Sequence, residues 1–297
     1  MPADSAFRSG AASDTGLLRE RNEDRYWVDD EHGIYLVVDG MGGHAAGELA
    51  AQVALDTIRE TVTALEATPE QRVRAAVAEA NNRIFEIAGS HQEFRGMACV
   101  LTLAVVEDGN ITIAHVGDSR MYLIWNGSIR KLTSDHSPVG QDEDSGELTE
   151  EEAMRHPRRN EVFRDVGTQR RRASDEKFIE IRQCRFHSDA AILLCSDGLT
   201  DQVSSARVRE IVESYDGDAA RVASELVEAA NCADGSDNIT AVFVAGPKFR
   251  GRTGATRPRS ATTRVRALKS AFGGRVAFLI YGLLIGMLIW ALWKVRV

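Results

Sequence analysis

IYLVVDGMGGHAAGE, residues 34–48, sets five consecutive apolar residues before an Asp-Gly pair, a glycine cluster and a helix-forming run. A short apolar run rich in β-branched and aromatic residues reads as a strand. Asp39 then falls where the strand meets the turn. The same stretch satisfies the dinucleotide-binding pattern G-x-G-x-x-A at Gly40, Gly42 and Ala45. That reading would set a carboxylate beside a pyrophosphate. It would also need an acidic residue about 20 positions on at the end of a second strand, where Glu60 still lies in a helical run. An oxidoreductase is therefore the weaker pairing of fold and function.

Outward from this stretch the arrangement repeats. Asp118 follows ITIAHVG, Asp197 follows ILLCS, and Asp237 stands in GSDN before ITAVFV. Asp and Gly are common turn residues, so one such site carries nothing. Four at the mouths of apolar strands would gather carboxylates that repel one another unless a cation lay between them. The four cysteines, Cys99, Cys184, Cys195 and Cys232, have no C-x-x-C pair and no His spacing for zinc, so an all-oxygen site favours Mg2+ or Mn2+. A cysteine phosphatase needs C-x5-R, and the residues six beyond the cysteines are Val105, Ala190, Asp201 and Asn238. G-x-S-x-G and G-x-x-x-x-G-K-[ST] are also absent.

Strands are predicted at 34–38, 100–106, 111–116, 121–125, 191–195 and 239–245. Helices are predicted over about 44–65, 70–88, 204–214 and 218–231. Glu-Asp-Gly-Asn between the second and third strands is a hairpin signal, so much of the sheet should be antiparallel. Residues 137–175 are polar and densely charged, with one short helix near 150–155. They read as a mobile insertion.

Residues 250–297 hold ten Lys/Arg and no acidic residue, leaving 26 basic against 44 acidic residues, a charge of −18, in residues 1–249. Such a body repels phosphate backbones, and no nucleic-acid partner is expected. VAFLIYGLLIGMLIWALW, residues 276–293, is an uncharged run of 18 with Trp290 and Trp293 near one edge. It is long enough to span a bilayer. Eight of the ten basic residues precede it, which places the body in the cytoplasm by the positive-inside rule. MPADSAFRSG has no apolar core for a signal peptide. Gly282 and Gly286 form a G-x-x-x-G, a spacing that permits close helix approach and would allow a homodimer.

GLLRERNED, VVDGMGGHAAGE, AHVGDSRMYL, LTSDHS, ELTEEEAMRHPRRN, LLCSDGLTD and GSDNITAVFV, running in order from about residue 10 to 245, resemble the successive motifs of the PPM family, or protein phosphatase 2C, in its bacterial form. The resemblance implies an α+β fold: a four-layer α/β/β/α sandwich of two antiparallel sheets flanked by helices, here with one C-terminal transmembrane helix added. It implies a metal-dependent protein serine/threonine phosphatase using two Mn2+ or Mg2+ ions and in some members a third. By motif, Asp39 would bridge both ions, the Gly40 carbonyl would complete one, Asp197 and Asp237 would hold the other, and Asp118 would serve the third position. Arg19 would grip the substrate phosphate through its bidentate fork.

Asn22 and Asn238 read as turn support. Met41 stands where many eukaryotic members carry a His proposed as general acid, so the leaving alcohol is expected to take its proton from water or to need no dedicated acid, with His44 nearby as the alternative. Ala98, Cys99 and Val100 replace the usual Gly-Thr-Thr, a change of packing. The implied plan is a catalytic domain over 1–247 with a flap at 137–175, a basic linker at 248–275, a span at 276–293 and a tail at 294–297. Phosphorylated proteins and Ser/Thr kinases are the implied partners. A catalytically inactive, membrane-bound phosphoprotein reader would normally lack a metal ligand, and none is missing here.

Overall fold

A computed structural model of the chain describes residues 7–42 and 46–252, all within one compact unit, Met1–Thr253. The strands, in chain order, are β1 (Arg8–Asp14), β2 (Arg25–Asp29), β3 (Ile34–Met41), β4 (Ala98–Glu107) and β5 (Asn110–Val116). After them come β6 (Arg120–Trp125), β7 (Ser128–Lys131), β8 (Glu180–Arg185), β9 (Ala191–Cys195) and β10 (Ile239–Ala245). The helices are α1 (Ala46–Ala64), α2 (Pro69–Ser90), α3 (Pro138–Ser145), α4 (Glu150–Met154), α5 (Asp197–Thr200), α6 (Ser205–Glu213) and α7 (Ala219–Ala233).

Two five-stranded sheets result, one in the order β1-β10-β9-β6-β7 and the other β2-β3-β4-β5-β8, every pairing antiparallel. The hairpin expected from Glu-Asp-Gly-Asn is present. Glu107 pairs with Asn110, leaving Asp108 and Gly109 as a two-residue turn with φ of 51° and 72°. Positive φ at both positions is the geometry that follows the sheet's right-handed twist.

Why the sandwich has four layers is written in the alternation within β3. Ile34, Leu36 and Val38 pack into the core under α1 and α2, whereas Tyr35 and Val37 belong to the core between the sheets with Met121, Ile192 and Val242. A third core lies under α6 and α7, built on Leu193, Phe243, Val222 and Leu226. Both faces of the central strands are thus dry, and each fully buried aliphatic side chain contributes about 1.5–3 kcal/mol. Helix ends follow local chemistry. Thr68 and Gln71 form a reciprocal cap ahead of α2 with Pro69 in its first turn, and the Asp218 side chain accepts from the Arg221 N–H at the start of α7.

All six strands expected from sequence are present. The four it passes over, β1, β2, β7 and β8, are the four sheet edges. An edge strand such as RSGAASD packs less apolar surface and so carries a weaker pattern. The polar insertion contains α4 as expected and also α3, which Ser137 caps through the Gly140 N–H. Only Val139 and Gly140 of α3 are buried, so no amphipathic stripe announces it. The far end of the insertion is fastened by a two-way backbone bridge between Val166 and Cys99, at 2.8 and 2.9 Å. No helix among the described residues is long and apolar enough to cross a membrane. The expected span at 276–293, with Gly282 and Gly286, lies outside the described residues, as do His44 and most of the basic linker.

Candidate active site

The strand ends bring the expected acids to one rim. Asp39 lies on β3 opposite Val100 of β4, and Gly40, the next residue, opposes Cys99. Asp118 follows β5 after Gly117, whose φ of +109° turns the chain sharply. A Cβ at Gly117 would fall 2.1 Å from Val100 Cγ1, so no other residue fits that turn. Asp197 opens α5 directly after β9, and Asp237 precedes β10. Asp39 and Asp197 keep some accessible surface, but protein crowds both carboxylates.

The electrostatics show that these groups face one another. Burial, then the charges of Asp24, Asp197, Asp118 and Asp237, push the Asp39 carboxyl well above the usual carboxylate range. Asp197 is pushed up in the same sense by burial, Asp118, Asp201, Asp237 and Asp24. Burial raises Asp118 to about 7, with the charges of Asp135 and Asp201 adding to it. No three of these carboxylates place oxygens within 4.8 Å of one another, so the rim is more open than a single-ion cage.

Asp24 is an acid to which the sequence reading gave no role of its own. Burial lifts it to about 6, Ser196 Oγ donates to its Oδ2 at 2.7 Å, and its Oδ1 is buried with no hydrogen-bond partner. Its signal was present in R-x-x-N-E-D, but nothing in sequence told which motif member turns inward. A buried carboxylate oxygen without a partner beside mutually repelling carboxylates is a donor set suited to hard divalent cations.

Arg19 is brought to the same rim. Its Nη2 donates to Asp237 Oδ2 at 2.7 Å while its side chain stays half exposed, so the fork can also meet a ligand from solvent. Asn238 secures this corner. Its Oδ1 accepts from the Glu23 N–H at 2.8 Å, and its Nδ2 donates to the carbonyls of Thr15 and Arg21. Asn22 donates to Ser13 Oγ and accepts from the Asp24 N–H, so both asparagines shape turns as expected.

Two ion pairs that sequence did not resolve tie the insertion to the rim. Buried Arg120 donates to Asp135 from Nε at 2.9 Å and from Nη2 at 2.6 Å, and also to Glu143 of α3 at 2.6 Å. Arg159 donates to Asp201 at 2.6 Å. Asp201 lies four residues beyond Asp197, the spacing that stacks side chains along a helical turn, so LLCSDGLTD already held that signal.

His115, His136 and Glu180 form the one trio among the described residues whose donor atoms lie within 4.8 Å. It is a hydrogen-bond hub rather than a cation site. His115 Nδ1 meets Thr102 Oγ1 at 2.9 Å and its Nε2 donates to the Ser134 carbonyl at 3.1 Å; His136 Nδ1 accepts from the Gly117 N–H at 2.9 Å. Arg182 and the Ser134 N–H already satisfy Glu180, and the guanidinium of Arg164 stands 2.8 Å from His136 Nε2, where it would repel a cation.

Burial, followed by the neighbouring His136, holds His115 down at about 4. The unfolded chain, with an ordinary value near 6.5, therefore takes up a proton that the folded chain refuses. That contribution is whole above pH 6.5 and is lost as the pH falls toward 4, with a ceiling of about 3 kcal/mol. Urea midpoints from pH 7 to 4 in saturating Mn2+ should fall, and His115→Gln should flatten the fall. An equally steep fall in both proteins would contradict this cause.

Comparison with known proteins agrees with the fold. A sequence profile described as protein phosphatase 2C matches residues 19–232. The serine/threonine phosphatase stp of Listeria welshimeri is 36% identical over 240 residues, covering 78% of this chain and 93% of stp. The crystal structure of the Mycobacterium tuberculosis serine/threonine phosphatase PstP/Ppp superposes with a TM-score of 0.72 at 30% identity, over 81% of this chain and 98% of that one. A PstP catalytic domain solved in complex with two manganese ions gives a TM-score of 0.70 at 29% identity, over the same shares. With the profile spanning most of the chain and the relatives matching almost end to end, the chain belongs to the protein phosphatase 2C family.

Proposed function

We propose that the chain is a protein serine/threonine phosphatase that hydrolyses phosphoserine and phosphothreonine side chains at the acidic rim. The observation that carries this reading is Asp39, crowded by four other aspartates, with half-exposed Arg19 brought to the same rim by Asp237. On this reading Asp39, the Gly40 carbonyl, Asp197 and Asp237 hold two Mn2+ or Mg2+ ions, Asp118 serves a third position, and Asp24 steadies the site from beneath. When bound, such ions lower the pKa of water and neutralise charge developing on phosphate oxygens.

The chain's own residues do the rest. Arg19 receives the phosphate with its fork and, tethered by Asp237, presents it in a fixed orientation. The carboxylates at rigid strand ends keep the water-attack side of the phosphate constant. The leaving alcohol takes its proton from water or from His44.

Phosphate release from a phosphothreonine peptide by the full-length chain should require Mn2+ or Mg2+ and stop on chelation. Full activity in EDTA would end this reading. Arg19→Ala should lower kcat/KM by about 10–100-fold, mainly through KM, because it removes a charge-assisted contact to substrate. An unchanged KM for that variant would remove Arg19 from the phosphate.

The domain plan read from sequence is part of the proposal: catalytic residues 1–247 with a flap at 137–175, a basic linker at 248–275 and a single span at 276–293. The uncharged run of 18 and the basic residues ahead of it support a cytoplasmic catalytic domain tethered to a membrane, where it opposes Ser/Thr kinases on the same surface. Deleting residues 276–297 should move the protein from the membrane pellet to the supernatant. Retention in the pellet would count against the span.

A further inference from the structure

We infer that Leu17 and Leu18 form an apolar rest for the residue flanking the phosphorylated Ser or Thr, so that the enzyme prefers phosphosites with apolar neighbours. This inference rests on the phosphatase reading above. Leu17 and Leu18 are 65% and 71% exposed, the two highest values among the exposed large apolar residues of the described chain. One exposed leucine is ordinary, but two in succession beside a phosphate-gripping arginine are not.

Their placement is fixed rather than incidental. The turn Thr15-Gly16-Leu17-Leu18-Arg19 lies against the loop that carries Asp237. A Cβ at Gly16 would fall 2.1 Å from the Asp237 carbonyl oxygen, and the Leu17 N–H donates to the Gly235 carbonyl at 2.6 Å. The Thr15 carbonyl accepts from Asn238 at 2.9 Å. The leucines are therefore held out to solvent by a backbone pinned to the loop of Gly235, Asp237 and Asn238.

Arg19 follows Leu18 directly and reaches Asp237 at 2.7 Å. Consecutive Cα atoms are about 3.8 Å apart, and an extended peptide advances about 3.3 Å per residue. A substrate whose phosphate meets Arg19 thus lays an adjacent residue within side-chain reach of the leucines. The occupant is a phosphopeptide rather than a lipid surface, because the body carrying the leucines has a charge of −18 and repels anionic headgroups.

The test compares two phosphothreonine peptides, identical except for Leu or Gln on either side of the phosphothreonine, turned over by full-length protein in detergent micelles with Mn2+. The wild type should favour the Leu peptide by about tenfold in kcat/KM, the range for an apolar side chain in a partial pocket. Leu18→Gln and the double variant Leu17→Ser/Leu18→Ser should bring the ratio toward one by raising KM for the Leu peptide. Equal turnover of both peptides by wild type would overturn the inference, as would a preserved ratio in the double variant. A variant that loses both peptides to the same degree would show that the leucines hold Arg19 in place rather than contact substrate, which also overturns it. Reduced binding to phosphatidylglycerol vesicles with an intact peptide ratio would assign the pair to lipid instead. If neither peptide releases phosphate, the phosphatase reading itself falls; if both do so equally, only this inference falls.

Discussion

Asp39→Asn is expected to lower Mn2+-supported phosphate release from a phosphothreonine peptide by about 10³-fold, roughly 4 kcal/mol of transition-state stabilisation, while melting at a higher temperature than wild type in chelator. The two halves have one cause. Asp39 stands among Asp24, Asp197, Asp118 and Asp237, and burial together with those charges makes its ionised form costly. Bound dications would offset that cost, and without them an amide of nearly the same shape removes the repulsion. A gain of 1 kcal/mol moves the midpoint by about 2–4 °C for a domain of this size. Mn2+ should raise the wild-type midpoint strongly and that of the variant weakly, because a ligand stabilises only through the state that binds it. A variant that keeps activity, or that melts below wild type in chelator, would contradict the placement of Asp39 at the centre of the site.

Arg120→Met should cost about 3–5 kcal/mol of stability, because it leaves buried Asp135 and partly buried Glu143 beside Asp118 with their principal partner gone. The Arg120 side chain is 11% exposed and that of Asp135 4%, which leaves water little room to take its place. Lys131 reaches Asp135 only at 3.6 Å and is already engaged by Asp144 at 2.7 Å. Arg120→Lys should recover only part of the loss, since an ammonium cannot make the forked contact to Asp135 and the bond to Glu143 together. Because Glu143 lies on α3, the substitution should also free the start of the insertion. Limited proteolysis between residues 138 and 160 should then cut the variant faster than wild type. A midpoint within 2 °C of wild type would mean the hub carries little of the fold.

These two residues also mark what was legible in sequence. Asp39 was legible because an apolar strand ending in Asp-Gly is a local pattern, repeated at Asp197, while Asp118 and Asp237 likewise pair an aspartate with a nearby glycine at the mouth of an apolar strand. Arg120 was quoted within VGDSR, yet its role was not legible. Its partners lie 15 and 23 residues away, across a turn and a helix whose only buried residues are Val139 and Gly140. Asp24 was invisible for a related reason: which member of R-x-x-N-E-D points inward depends on the strand it enters, β2, an edge that sequence did not show.

Sequence by itself determined the six central strands, the antiparallel hairpin, the four flanking helices and the acids at the strand mouths. A strand that must be dry on both faces, and a turn that must take positive φ, leave their mark in consecutive residues. Tertiary structure alone decided the four edge strands, the inward turn of Asp24, the Arg120 and Arg159 ties to the insertion, and the two leucines held out beside Arg19. Edge pairing, charge neutralisation and exposure depend on what other parts of the chain bring to a place, and residues far apart in sequence do not record which of them will meet.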